Sequence, residues 1–112
     1  MAWNHIFHDD ASALRSGSHV AERIRQVKAE SGVAVEIYVF SPAERALADP
    51  SRDGFNATID EPIAADVPVG TCVDIAEGLG QRAAFVSRGP RLEYARDAFV
   101  RLAREGAAVI SF

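Results

Sequence analysis

The chain has 112 residues, 48% of them hydrophobic and 25% charged, with a net charge of −4. A chain of this size fits one domain and buries about two thirds of its unfolded surface without a disulfide or metal. Its acidic balance argues against a bulk nucleic-acid binder, whose footprint would be basic. One cysteine excludes an intramolecular disulfide and any multi-cysteine zinc or iron–sulfur site. The longest mostly apolar stretch, Val33 to Phe40, contains Glu36 and falls far short of the ~20 residues of a membrane span. The start, Met1 to His5, has no charged-then-apolar signal pattern, so a soluble cytoplasmic domain is the expectation.

Trp3, His5 and Phe7 alternate with Asn4, Ile6 and His8, which predicts a strand over residues 3–7. His8-Asp9-Asp10-Ala11-Ser12 then offers several N-cap oxygens. Leu14, Val20, Ala21, Ile24 and Val27 recur at helical spacing and predict a helix over 11–30, closed by Gly32. Val33 to Phe40 is β-branched and aromatic, and its nearly continuous apolar character suits a strand covered on both faces. Ser41-Pro42-Ala43-Glu44 reads as a capping box with proline at the first helical position, opening a helix that must end before Asp49-Pro50.

Residues 49–66 carry Asp-Pro, Asp-Gly and Glu-Pro breakers, which predict a loop with at most a short strand near Phe55 to Ile59. Val67 to Gly70 reads as a third strand, and Thr71-Cys72-Val73-Asp74 as the capped start of a helix reaching about Leu79. Arg82 to Ser87 is compatible with strand or loop. A helix is expected from Pro90 to Gly106, with Leu92, Ala95, Phe99, Leu102 and Ala103 on one face, before a final buried strand over 107–112. The alternation predicts an α/β fold: one three-layer domain with a mostly parallel sheet and helices on both faces.

Ligands of such sheets bind at the C-terminal ends of strands, near the point where strand order reverses. His8-Asp9-Asp10 and Gly70-Thr71-Cys72 fall at such ends. Cys72 is the first candidate: a strand-to-helix junction favours the thiolate, which is the nucleophile, whereas Asp74 and Glu77 oppose it. The competing role is that of a small packed hydrophobe, since free cysteine is among the most buried residues.

Several stretches resemble the DsrE/DsrF-like family of small sulfur-relay proteins. They are Ile6-Phe7-His8-Asp9-Asp10, Ala34 to Phe40 with Ser41-Pro42-Ala43, Val67 to Asp74, and Leu102 to Ile110. Residues 49–66 carry no part of the resemblance. It implies a flavodoxin-like α/β layer that assembles into homo-oligomers, and it makes Cys72 the counterpart of the cysteine that carries persulfide sulfur in some members. The resemblance thus implies a sulfur donor or acceptor protein as partner.

His8, beside Asp9 and Asp10, is the second candidate, as a proton acceptor near Cys72; a Cys–His pair is one way to activate a thiol. Its competing role is in the polar loop that caps the first helix. His5 and His8 fall on opposite faces of a strand, which argues against a shared metal. His19 lies on the polar side of its helix. No dinucleotide fingerprint or Walker motif is present, and no cofactor is implied. Arg82, Arg88, Arg91, Arg96, Arg101 and Arg104 make the last third locally basic, either as a solvated helix face or as a site for an acidic partner.

The leading expectation is a homo-oligomeric sulfur carrier or small-ligand binder, more a dimer or trimer than a larger ring. Its crevice would run between His8 and Cys72, with Asp9, Asp10, Gly70 and Thr71 lining it. The rival is a non-catalytic binding or assembly module in which Cys72 is packing. A hydrolase or transferase has no nucleophile–base string to support it.

Overall fold

The apolar run in the first half of the chain becomes the centre of a parallel sheet. In the computed structural model, which describes residues 1–112, the elements are β1 (Ala2–Ile6), α1 (Ala11–Gln26), α2 (Lys28–Ser31), β2 (Val35–Val39), α3 (Pro42–Leu47), α4 (Asp53–Ala64), β3 (Val69–Thr71), α5 (Val73–Gly78), α6 (Arg82–Arg88), β4 (Arg91–Leu92), α7 (Ala95–Glu105) and β5 (Ala108–Ser111). The sheet has five strands in the order β4-β3-β2-β1-β5, and every pairing is parallel. This is the three-layer α/β architecture expected of the alternating pattern and flavodoxin-like, as the family resemblance implied, with Val35, Ile37, Tyr38 and Val39 all buried.

The two faces of the sheet are covered unequally. Ala2, Ile6, Val35, Ile37, Val39 and Val69 meet apolar residues from α1, α3, α4, α5 and α6 in one large core. Trp3, Tyr38 and Cys72 point the other way and meet Ala98 and Leu102 of α7 in a smaller one. The period-2 alternation of strand side chains makes this division. On the first face α1 approaches β1 closely at Gly17: a Cβ there would lie 2.8 Å from Ile6 Cγ1. The buried Asn4 amide donates to the Gly17 carbonyl at 2.8 Å across the same contact.

Several local expectations are corrected. Residues 53–64 form a helix, not a loop. Asp53 and Gly54 occupy its first turn, where backbone N–H groups need no intrahelical partner, and Pro62 sits near its end. Phe55 and Ile59, four residues apart, then anchor it in the core. The helix over 11–30 breaks at Val27 into α1 and α2, and Gly32 closes α2 with φ 70°. Residues 82–88 are helical, and Pro90 precedes the short edge strand β4 instead of opening a helix. The final strand is exposed along its whole length, not buried. It is tied down by its ladder with β1 and by the Phe112 N–H, which donates to the His5 carbonyl at 2.7 Å.

Candidate functional site

Cys72 follows the last residue of β3 and is the N-cap position of α5, with extended backbone angles. It shares the face of Gly70, so its side chain turns toward the thinly covered side of the sheet. There an open cleft of about 690 Å³ is lined by Phe40, Cys72, Asp74, Ile75, Tyr94, Ala95 and Arg96. These come from the ends of β2 and β3, from α5, and from the start of α7. Cys72 is 5% exposed and forms part of the cleft floor.

A polar network fixes the wall that α7 provides. Glu36, buried on β2, accepts from Arg101 at 2.8 Å and from Arg91 at 3.1 Å. Arg101 also donates to Glu93 at 3.0 Å. The bonds to Glu93 and Glu36 hold the Arg101 guanidinium well above its usual range, so it stays charged. The Tyr38 hydroxyl donates to the Glu93 carbonyl at 2.9 Å. Burial, then the nearby Cys72, Glu44 and Glu93, drive the Tyr38 phenol far above its usual range, so it remains a neutral donor. The turn from β4 into α7, which carries Tyr94 to the cleft, is thereby pinned from below.

Glu44 is the residue the sequence reading misplaced. In the expected capping box it would reach back to the start of its own helix. Instead Ser41 adopts φ 59° and makes no side-chain cap. Glu44 points into the protein, is 0% exposed, and accepts the Cys72 backbone N–H at 2.9 Å through Oε1. Its Oε2 has no hydrogen-bond partner. Burial pushes the Glu44 carboxyl up to about 8, although the Cys72 N–H opposes part of that rise. Glu44 is therefore mostly protonated at neutral pH.

The other predicted site residues divide. Gly70 lies beneath the cleft face, against the Tyr38 ring. Thr71 faces the opposite side of the sheet, fully buried, with an unpartnered Oγ1. It does not line the cleft, and its hydroxyl caps nothing on α5. Asp10 accepts the Ala13 N–H at 3.0 Å as the N-cap of α1. Asp9 pairs with Arg52. Strand order reverses between β1 and β5, and His8 lies there, its N–H donating to the Phe112 carbonyl at 3.3 Å. Two strand spacings, about 10 Å, separate that point from the end of β3, so His8 and Cys72 do not form a pair. The His8 ring packs against Phe7 instead.

His5 joins an aromatic row with Trp3, Phe7, Phe40 and Phe99. Burial, with His8 nearby, lowers its pKa and so favours the neutral ring. No group of three or more His, Cys, Asp or Glu side chains is placed to hold a metal ion. Of the arginines in the last third, Arg82, Arg88, Arg91, Arg96 and Arg101 each pair with an acidic side chain. That pairing favours the structural role for most of the basic stretch.

No protein-family profile matches the chain, and no curated protein matches it. Among the solved structures that share its fold are two of unknown function. One is the conserved protein BT1422 of unknown function from Bacteroides thetaiotaomicron, with TM-score 0.71 and 14% identity over 98% of this chain and 94% of that one. The other is the protein MTH1491 of unknown function from Methanobacterium thermoautotrophicum, with TM-score 0.67 and 19% identity over 99% of this chain and 97% of that one. At these identities the likeness defines the fold alone. No helix is long and apolar enough to cross a membrane.

Proposed function

We propose that the chain is a DsrE-like sulfur-handling protein of a reducing intracellular compartment, in which Cys72 takes up a sulfane sulfur and hands it to a partner protein. The observation that carries this reading is the placement of the sole cysteine on the floor of an open, largely apolar cleft at the C-terminal ends of the strands. In the loading step the Cys72 thiolate attacks the outer sulfur of a donor persulfide. A new S–S bond forms at Cys72, the donor S–S bond breaks, and the donor leaves as a thiolate. The proton from the Cys72 thiol goes to water in the cleft. No external oxidant enters, because the sulfane sulfur arrives already oxidised.

The same reading includes a homo-oligomer, a dimer or trimer. β5 is an open sheet edge with Val109 and Ile110 exposed, and Phe99 and Val100 of α7 are exposed near it. An unpaired apolar edge of this kind templates association. Light scattering at micromolar concentration checks it; a monomer mass contradicts it. The low exposure of Cys72 supports a second reading, a binding or assembly module in which the thiol is only packing. Iodoacetamide decides between the two: modification of Cys72 in the native protein supports the carrier, and modification only after unfolding supports the module.

A further inference from the structure

We infer that Glu44 is the positioning residue of the Cys72 site: neutral, it anchors the cysteine's backbone and leaves the thiol free to ionise; charged, it holds that ionisation back. The inference rests on the carrier reading above and adds a residue that acts on the sulfur through the backbone.

Three observations converge on it. The Glu44 carboxyl is fully buried at the corner where α3 meets the end of β3, and Oε1 accepts the Cys72 N–H. Oε2 is buried and unpartnered, so the structure pairs one carboxyl oxygen and leaves the other, an arrangement that suits a protonated acid. Tyr38, in the same small core as Cys72, feels both groups, and its phenol stays neutral.

The remaining charges around Glu44 do not relieve its burial. α5 carries Asp74 and Glu77, α4 carries Asp53, Asp60 and Glu61, and α3 itself carries Arg45, all exposed. His8, Asp9 and Asp10, on the loop whose Phe7 carbonyl accepts the Ala43 N–H, are exposed as well. The cations beside α4, Arg52 and Arg88, are engaged by Asp9 and Asp60. Two acids that share one water-poor corner cannot both ionise freely; the second charge is opposed by the first. Burial places the Glu44 titration near 8. A carboxyl oxygen accepts a hydrogen bond whether the group is protonated or not, so the residue sets both the place of the cysteine and the pH range over which its sulfur reacts.

Glu44→Gln keeps the acceptor oxygen and the volume and removes the charge. The rate of native iodoacetamide alkylation of Cys72 is measured for both proteins from about pH 6.5 to about pH 9. The ratio of the variant rate to the wild-type rate should rise above one as Glu44 ionises, by at most about tenfold for one pKa unit of relieved repulsion. Native alkylation with the same pH profile in both proteins overturns the role of Glu44 and leaves the carrier reading standing. Resistance of Cys72 to alkylation in both proteins until they unfold overturns the carrier reading, and the inference falls with it. Should Glu44→Gln fail to fold, carbon-13 titration of the Glu44 carboxyl in wild type and in Cys72→Ser tests the same coupling, which must be reciprocal. A Glu44 midpoint that is lower in the serine variant, by at most about one unit, supports the inference; an unchanged midpoint overturns it.

Discussion

Replacing Glu44 by glutamine should change how stability depends on pH. In the unfolded chain Glu44 ionises near its ordinary value of 4.5; in the folded protein burial holds the proton on until about 8. Between those values the folded state binds more protons than the unfolded state, so this residue lowers stability as pH rises. The loss begins above about 4.5, proceeds at about 1.4 kcal/mol per pH unit, and levels off above about 8. By pH 7 it amounts to about 3 kcal/mol, a large part of the 5–15 kcal/mol of a typical domain.

Glutamine has no such titration. Its amide nitrogen does replace an unpartnered oxygen, and a buried unsatisfied donor costs about 1–3 kcal/mol. That cost does not vary with pH, so the difference between the two stability curves carries the signal. The assay is urea unfolding of both proteins at several pH values, with the m-value checked for constancy. The variant should gain about 3 kcal/mol relative to wild type between about pH 4.5 and 7. Parallel curves would show that Glu44 ionises in the folded protein as it does in water, and the reasoning from its burial would be refuted.

Asp10→Ala removes the side-chain oxygen that accepts the Ala13 N–H and should cost about 1 kcal/mol in urea unfolding; no loss would mean that the cap contributes nothing. Gly17→Val should destabilise by about 1–3 kcal/mol, because its Cβ alone would approach two Ile6 carbons within 2.9 Å. The gain from removing a mid-helix glycine is smaller, about 0.5 kcal/mol, so a net increase in stability would contradict the close approach of α1 to β1.

The fold was largely legible because its strongest signals are local. The run Val35–Val39 is apolar except for Glu36 and is buried on both faces, as only a central strand is. Gly32 and Gly106 end helices with positive φ, as their positions suggested. Two kinds of information were out of reach. The breakers around α4 read as a loop because Asp-Gly and Glu-Pro weigh against helix, yet Asp53 and Gly54 fall in the first turn, where the cost is small, and the burial of Phe55 and Ile59 holds the helix despite Pro62. Glu44 fits a capping signature three residues after Ser41, and its neighbours cannot reveal that it turns inward. Its partner is the N–H of Cys72, 28 residues away, and that contact exists only once β3 lies beside β2. Cys72 itself was legible as a strand-end residue, whereas its expected pairing with His8 required knowing that β2 lies between their strands.

Sulfur uptake at Cys72 is the central claim, and mass spectrometry of the native protein after exposure to a small-molecule persulfide donor tests it most directly. The account predicts a gain of about 32 Da, one sulfur atom, that maps to the Cys72 peptide, is removed by dithiothreitol, and is absent from Cys72→Ser. An unmodified native protein that takes up the same mass only after unfolding would contradict the claim and leave Cys72 as part of the small core behind the sheet.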